Sequence, residues 1–489
     1  MGNNNRKRGN FFDITGEVTG VGFQKKMVIV PAIVAMLMLI GAKLPLTGYG
    51  ENTGLALGFF LSVILCFVVQ PWDMLITCMM VPAGGFLLGF WDWKVIQTAT
   101  GASTFVSMFA LTLVSAGADT TPIGKRVTLL LLKKFHGNPV RLVLVIGVAA
   151  CLISGFVSNI ATCLLVSSIV NQMLLAMGEE PGKSKLGCVL MVLIATVPYI
   201  GGVMLVSGSA ATNLLGINLL ESATDGMYTI TYAQWAAVGI PAVLITIVPV
   251  CLIYIRMMGL KTSDVKNTTL SDQYYQKLYD ELGPVQASEI RWLMITLGMV
   301  AWMIAGGHAT VVPLLAAILS LMPLVGVVPV DQMFRLIPMK ILFMIFFMVS
   351  LGQLFTQTGL SAFFTALLAP VFGGLNPYLF SVSICLALVF LENVCVTVNS
   401  PYILVMSLSV PLCISSGYNP SVMLLPVIMS ASFVFVLRLN TFMLVNKDYG
   451  WWETKDGILP GIITAVILCV LIPLLSVVIS PMLGISVYI

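Results

Sequence analysis

Two short segments combine small polar side chains with glycine or alanine, and both lie where the flanking sequence is strongly apolar. One is SNIAT at 158–162, and the other is SGSAATN at 207–213. Serine, threonine and asparagine supply neutral ligands, and glycine lets the backbone approach an ion closely. Where a helix breaks, its N-terminus favours an anion and the carbonyls at its C-terminus favour Na⁺. Together the two segments predict a site for an anion and for Na⁺.

Packing is the competing explanation, because small polar residues are common where helices contact each other in membranes. The second half of the chain, however, carries interruptions in corresponding places. These are VCVTVNSP at 394–401 and VLRLNTFML at 436–444. Paired interruptions in two halves point to a transporter site between inverted repeats. The pairing therefore favours a site over packing.

The composition places these segments in a membrane. The chain has 489 residues, of which 58% are hydrophobic and 9% charged, whereas soluble domains carry about 25% charge. We therefore predict an all-α polytopic membrane protein with about 11 transmembrane helices plus two re-entrant hairpins in two inverted repeats. The predicted spans are 27–43, 54–70, 72–90, 101–118, 186–206, 232–256, 291–307, 310–327, 339–357, 421–437 and 458–482.

The two hairpins are predicted at 138–180 and 376–418. Each opens with Asn-Pro, runs apolar, breaks at a polar patch and runs apolar again. Non-helical backbone at membrane depth is tolerated only where it is buried in protein or faces water. The predicted organisation is an N-terminal segment 1–26, a first repeat 27–259, a polar loop 260–290 and a second repeat 291–489.

Lysine and arginine set the predicted orientation. They cluster within 6–26, 125–141 and 256–291, and such clusters are typical of cytoplasmic segments. We therefore expect a multi-pass protein of the cell (inner or plasma) membrane with a cytoplasmic N-terminus. Segment 119–137 has one basic and one apolar face, which predicts an interfacial helix. The net charge of +4 does not suggest a nucleic-acid partner.

The sequence lacks the residues that other classes of membrane protein require. A membrane enzyme would need clustered acids, histidines or a nucleophile with a base, but the two histidines, His136 and His308, stand apart from such a cluster. An ATP-driven pump would need a glycine-rich loop before a Lys-Ser or Lys-Thr pair, and the sequence has none. Paired broken helices are more typical of a carrier that works by alternating access than of a channel. We expect a carrier and not an enzyme.

The order of the SNIAT hairpin, then GSAATNLLG, then YAQWAAVGIPAVLITIVPVCL resembles the divalent anion–sodium symporter family. The resemblance covers most of the chain by order of elements and is sharp over 138–250. It implies carriers of small di- or tricarboxylates that work by Na⁺ symport or anion exchange. It also implies a homodimer in the lipid membrane and an elevator motion. The alternative is a carrier of another anion, such as a monocarboxylate, sulfate or a sulfonate.

The resemblance assigns residues in the first half. Ser158 and Asn159 match the first two places of the hairpin-tip motif, Ile160 stands where the family has Thr, and Thr162 matches a later Thr. Gly208 matches the glycine that lines the first sodium site in the family. The implied metal ligands for one Na⁺ are Asn159 and Gly208. Thr212 and Asn213 occupy the neighbouring substrate-facing turn.

The second half departs from the family pattern. Thr397 and Asn399 are present near the expected hairpin-tip motif, but in another register. Asn440 and Thr441 stand where the family has a Thr-Pro-Pro-Asn-like turn. We include all four among the candidate substrate-binding residues.

Arg438 and Glu392 lie inside apolar runs, and ionisable groups at membrane depth are expensive and usually functional. Arg438 falls where the resemblance places the second sodium site. Our hypothesis is that its guanidinium replaces that ion and binds a substrate carboxylate through two hydrogen bonds, or pairs with Glu392 when the site is empty. This predicts weak dependence on Na⁺, or exchange. A purely structural Arg–Glu pair is the alternative.

Overall fold

A computed structural model describes most of the chain beyond residue 25. The gaps in this description are 70, 95–96, 98–102, 119, 134–137, 262–278, 338, 373, 395–398 and 438–440. The described residues are helical, apart from turns and one isolated bridge between Tyr418 and Tyr488. The prediction of an all-α fold is confirmed.

The first half contains eleven described helices. They are α1 Lys26–Lys43, α2 Thr53–Val69, α3 Met74–Leu87, α4 Ser103–Ala116, α5 Ile123–Lys133, α6 Pro139–Ser154, α7 Asn159–Ala176, α8 Lys185–Ile194, α9 Val197–Gly201, α10 Ala210–Ala223 and α11 Tyr232–Met257.

The second half also contains eleven described helices. Its described helices are α12 Ala287–Ile304, α13 Val311–Leu321, α14 Met333–Leu336, α15 Met339–Gln357, α16 Leu360–Phe372, α17 Pro377–Val394, α18 Asn399–Ser415, α19 Pro420–Met423, α20 Leu425–Ser430, α21 Thr441–Lys447 and α22 Ile458–Met482. Two short 3₁₀ turns, Val330–Gln332 and Thr454–Gly457, complete it.

Four helical segments are long and apolar enough to cross a membrane by length and composition. They are Asn159–Ala176, Tyr232–Met257, Ala287–Ile304 and Thr454–Met482. Shorter apolar helices of 10–17 residues account for most of the rest. The predicted number of spans therefore stays a prediction.

Both hairpins begin in the way that their Asn-Pro pairs predict. The Asn138 side chain accepts a hydrogen bond from the Val140 N–H at 2.9 Å, and Pro139 opens α6. In the second half the Asn376 side chain accepts from the Leu379 N–H at 2.8 Å, ahead of α17. A capping side chain followed by proline suits a helix start, since proline has no N–H to leave unsatisfied there. The first hairpin turns at 155–158.

Two predicted spans are broken in the structure. The stretch 186–206 divides into α8 and α9 and then unwinds, and 421–437 divides into α19 and α20 and then unwinds. Each broken stretch follows a hairpin. The structure also contains α16, which the spans predicted from sequence did not include; its 13 residues are too few for the roughly 20 that a spanning helix requires.

The two halves pack against each other through their central helices. Helix α10 packs on α15 and α18, α11 packs on α22, and α21 packs on α7. The hairpin and broken helix of the first half therefore contact those of the second half directly.

A buried ion pair attaches α5 to the start of α12. The Arg126 side chain donates to both carboxylate oxygens of Glu289, at 2.9 and 3.0 Å, and to the carbonyls of Gly283 and Pro284. Arg126 is 5% exposed and Glu289 1%. The basic face predicted for segment 119–137 therefore includes an arginine that points into the protein. The pair joins the helix before the first hairpin to the second half.

Replacing Arg126 with glutamine should lower stability by about 3 kcal/mol, because it leaves the Glu289 carboxylate buried without its partner. Scanning fluorimetry of the detergent-purified protein measures this as a fall in melting temperature. Lys183→Gln is the matched control, since Lys183 pairs with Glu180 at the exposed surface and exposed pairs contribute little. Equal melting temperatures for the two variants would contradict the prediction.

Candidate functional site

The site is built around an unwound segment inside the protein. Helix α9 ends at Gly201, α10 begins at Ala210, and the backbone between them is not helical. Every residue from 189 to 210 is buried. Buried backbone groups must find partners within the protein, so the unwound segment 202–209 needs side chains to satisfy its carbonyls.

Asn213 supplies most of that support. Its Nδ2 lies at hydrogen-bond distance from three carbonyl oxygens, those of Gly202 at 3.2 Å, Leu205 at 3.3 Å and Val206 at 3.1 Å. Asn213 is fully buried. The first turn of α10 thereby fixes the loop that precedes it, and the side chain that was predicted to face substrate also holds the backbone of the site.

Helix α11 supports the segment from the other side. The Trp235 indole donates to the Val203 carbonyl at 2.8 Å, and the Tyr232 hydroxyl lies 3.1 Å from the Ser207 hydroxyl. The backbones come close at Gly239, where a Cβ would lie 2.6 Å from the Val203 oxygen. No function was predicted for Tyr232 or Trp235 from the sequence, although both lie in the YAQW stretch that carries part of the family resemblance.

The tip of the first hairpin touches the unwound segment. The Ser154 hydroxyl donates to the Pro198 carbonyl at 2.6 Å. A Cβ on Gly208 would lie 2.8 Å from the Ser154 carbonyl oxygen, so only glycine fits there without a shift. The structure therefore places the end of α6, just before the SNIAT segment, against Gly208 of the SGSAATN segment.

Two helix N-termini converge at Gly202. A Cβ placed on Gly202 would lie 3.4 Å from the Ser209 Cβ and 3.6 Å from the Asn159 Cβ. Ser209 precedes α10 and Ser158 precedes α7, and within the described part of the chain neither serine caps its helix with its side chain. The first N–H groups of both helices carry partial positive charge. The geometry suits an anion.

Two buried oxygen atoms near this junction lack a hydrogen-bond donor among the described residues. They are Thr162 Oγ1, one turn into α7, and Asn213 Oδ1. Thr162 is 1% exposed. Leaving such atoms unsatisfied costs free energy, and hard cations are bound by oxygen ligands of this kind. The donor set therefore fits Na⁺ as a transported ion. Asn159 Oδ1 accepts from the Ile160 N–H at 2.9 Å.

Thr162→Val tests whether the orphaned hydroxyl belongs to a site. Valine has nearly the same shape, and Thr162 Oγ1 has no described hydrogen bond to lose. We expect the melting temperature without ligand to stay the same or rise. If Thr162 Oγ1 is a ligand of Na⁺, its loss should weaken the apparent affinity for Na⁺ about tenfold. Fluorimetry over a Na⁺ titration measures both quantities. An unchanged Na⁺ response would remove Thr162 from the site.

The second half is described in part. Asn399 opens α18 and Thr441 opens α21, while Thr397, Arg438 and Asn440 lie outside the described residues. Thr212, on α10, connects the halves: its carbonyl accepts a hydrogen bond from the Tyr402 hydroxyl on α18 at 3.3 Å. Glu392, near the end of α17, is 2% exposed.

Asn393 supports the second unwound segment, 431–437. Its Nδ2 donates to the Phe433 carbonyl at 2.9 Å, and its Oδ1 accepts from the N–H groups of Val436 and Leu437 at 3.0 and 3.2 Å. Asn393 was not among the site residues predicted from the sequence, although it is adjacent to Glu392. A polar residue next to a charged one within an apolar run was the available signal.

Comparison with known proteins gives the family. A family model described as the sodium:sulfate symporter transmembrane region matches residues 24–485. The chain belongs to this family. The predicted resemblance to divalent anion–sodium symporters is confirmed, and the protein is an integral membrane transporter and not an enzyme.

A relative of this symporter-family chain is the inner membrane protein YbhI of Escherichia coli (strain K12). It is 26% identical over 282 residues, which cover 55% of this chain and 57% of the relative. The match therefore spans little more than half the length of that curated relative.

Two solved structures share the fold. The YdaH transporter of Alcanivorax borkumensis has a TM-score of 0.53 and 12% identity, with 95% of this chain and 100% of that chain covered. MtrF of Neisseria gonorrhoeae, described as illuminating a class of antimetabolite efflux pumps, has a TM-score of 0.53 and 10% identity, with 92% and 94% covered. At these identities the likeness establishes the fold of the symporter-family chain and nothing about its substrate.

Proposed function

We propose that this protein is a secondary active transporter of small di- or tricarboxylate anions, driven by Na⁺ or by anion exchange. The observation that carries the proposal is the convergence of the N-termini of α7 and α10 at Gly202. Partial positive charge from two helices favours a carboxylate there. The hydroxyls of Ser158 and Thr212 would add hydrogen bonds.

A dicarboxylate suits the repetition of this arrangement. The second half presents another hairpin helix, α18, and another helix after an unwound segment, α21. In the proposal, one carboxylate lies at the first pair of N-termini and the other at the second pair, near Thr397, Asn399, Asn440 and Thr441. A substrate with charges at both ends would use both halves of the site.

Na⁺ coupling is proposed for the first half. Asn159, Thr162 and Asn213 offer side-chain oxygens, and Gly208 lets the carbonyls of the unwound segment approach an ion. One Na⁺ bound there would offset part of the substrate's charge. In the second half, we propose that Arg438 replaces a second ion and binds a substrate carboxylate. If substrate binding is unaffected by Arg438→Gln, this proposal for Arg438 is wrong.

Elevator movement requires the hairpins and broken helices to move as one body. Contacts between α21 and α7 support such a body. The Asn446 side chain donates to the Ser167 hydroxyl, and its Oδ1 accepts from the Trp452 indole at 2.7 Å. The Trp451 indole donates to Asn171 at 2.7 Å. A homodimer, which the family resemblance implies, would supply the fixed frame.

Sulfate is the second candidate substrate, because the matching family model describes a sodium:sulfate symporter region. A tetrahedral dianion would need only one pair of helix N-termini. Sulfate would therefore not require the second half of the site, whereas a dicarboxylate, with its two separated charges, would.

A thermal-shift titration distinguishes the candidates. The detergent-purified protein is titrated with succinate, citrate, tartrate and sulfate, each with and without Na⁺. A ligand in hundredfold excess over its Kd stabilises the folded state by about 2.7 kcal/mol. We expect a shift with carboxylates that grows with Na⁺. A carboxylate shift indifferent to Na⁺ would favour exchange with Arg438 in the site, and a shift with sulfate alone would contradict the carboxylate proposal.

A further inference from the structure

Glu392 is a carboxylate inside an apolar helix, and the site described above does not use it. It has no partner in the described part of the chain. It lies in the last turn of α17, directly before the tip of the second hairpin, and is 2% exposed. Neither of its oxygens has a hydrogen-bond partner among the described residues. A carboxylate buried in this way is strongly disfavoured unless a proton or a cation neutralises it.

The helices packed against α17 supply no cation. They are α18, α19, α20 and α22, and their sequences contain no lysine, arginine or histidine. Their titratable groups are Tyr402, Cys413 and Cys469, all neutral in their ordinary state. Tyr402 and Cys469 are close enough to Glu392 to interact with its charge. The side chains of these helices therefore favour the neutral, protonated form of the Glu392 carboxyl group.

Residues 436 and 437 of the second unwound segment approach another face of α17. Val436 and Leu437 donate to Asn393, and successive residues of an α-helix point about 100° apart. Cys385, two turns before Glu392 on the same face, lies near Cys469 of α22. The Glu392 face is therefore turned toward α18 and α22.

We propose that Glu392 is a proton-binding site of this carrier, protonated in the conformation described and releasing that proton during transport. An ionisable side chain is an expensive choice at this depth if it serves packing alone. Its place in the last turn of α17 puts it beside the second half of the proposed substrate site, which alternating access would expose to water on each side of the membrane in turn. The transport step of this inference rests on the proposed carrier function, whereas the charge state of Glu392 does not.

Tyr402 links this proton to the substrate site. Its buried ring lies against α10, where a Cβ on Gly216 would come within 1.8 Å of the Tyr402 hydroxyl. That hydroxyl donates to the Thr212 carbonyl at 3.3 Å. Ionisation of Glu392 would place a negative charge near the same hydroxyl and compete for its hydrogen. Loss of the proton would thus weaken a bond that positions the first turn of α10.

Infrared difference spectroscopy of the full-length protein in nanodiscs measures the charge state without substrate. We expect a protonated-carboxyl band that follows bulk pH. It should be lost in Glu392→Gln and retained in Glu453→Gln, a control at an exposed glutamate. Should Glu392→Gln fail to fold, Glu392→Asp keeps a carboxyl group and must shift the band. Absence of the band, a band that ignores pH, or a band unchanged by these variants would overturn the proposal.

Proteoliposomes that contain a pH-sensitive dye test the coupling, with succinate and sulfate as probes. Wild-type uptake of the transported anion should acidify the lumen and fall about tenfold per pH unit on the alkaline side. Glu392→Gln should transport without acidification and without this pH dependence. Transport that moves no protons in the wild type would overturn the coupling. If neither anion is transported, the substrate proposal fails, and the infrared titration alone decides whether Glu392 binds a proton.

Discussion

Asn213→Ala is expected to abolish transport and to lower stability by about 3 kcal/mol. The Asn213 amide is the shared donor for three carbonyls of the buried segment 202–209. Removing it leaves buried acceptors unsatisfied, and each such group costs about 1–3 kcal/mol. The segment would then lose the conformation that brings α7 and α10 together. Fluorimetry gives the stability change, and uptake into proteoliposomes gives the activity.

Asn218→Ala is the matched control, because Asn218 has the same residue type on the same helix. It is 4% exposed, and its side-chain oxygen accepts one hydrogen bond from Ser222. We expect Asn218→Ala to retain transport and to cost about 1 kcal/mol. Equal losses in the two variants would mean that α10 tolerates neither change and that Asn213 has no special connection to the site.

Gly208→Ala should reduce transport at least a hundredfold while leaving a folded protein. The new methyl group would meet the Ser154 carbonyl at 2.8 Å and the Gly202 backbone at 3.0 Å. Both contacts are with backbone, so neither can rotate away, and overpacking of this kind costs about 1–3 kcal/mol. The hairpin tip and the unwound segment must therefore separate, which displaces the helix N-termini proposed to bind the anion. A misplacement of about 1 Å in the groups that bind a substrate can reduce the rate about a hundredfold.

Gly298→Ala provides the comparison for Gly208→Ala. Gly298 lies within α12, and nothing stands within 4 Å of a Cβ built there. Alanine favours helix over glycine by up to about 1 kcal/mol, so this variant should be as stable as the parent or more so, and fully active. Normal uptake by Gly208→Ala would show that the contact between hairpin tip and unwound segment is not needed for transport.

The broad architecture could be predicted from the sequence because membrane depth constrains the chain strongly. Long apolar runs predicted the helices, and the two Asn-Pro pairs predicted the starts of the hairpins at Asn138 and Asn376. The unwinding within 186–206 was harder to predict, since a run of apolar residues reads as one span whether or not it is broken. The Gly201–Gly202 pair was the local sign of the break. Helix α16 was missed because it is short.

The types of residue at the site could be predicted from the sequence, but the contacts between them could not. The types of residue in SNIAT and SGSAATN indicated that backbone would be exposed to an ion, and the structure brings the two segments together. Which side chain holds which carbonyl depends on packing between distant segments, so the supports from Trp235 and Asn393 could not be deduced. Trp451 and Trp452 show the same limit, because both are buried although charged residues lie on either side of them in the sequence.

Uptake of radiolabelled succinate into proteoliposomes is the most direct test of carboxylate transport through the site at Gly202 and Gly208. Wild-type protein, Gly208→Ala and Gly298→Ala are compared with an inward Na⁺ gradient and, separately, with unlabelled succinate inside. We expect uptake by the wild type and Gly298→Ala under at least one of these driving forces, and loss of uptake by Gly208→Ala under both. Succinate uptake that is equal in all three proteins, or absent from the wild type under both conditions, would contradict this expectation.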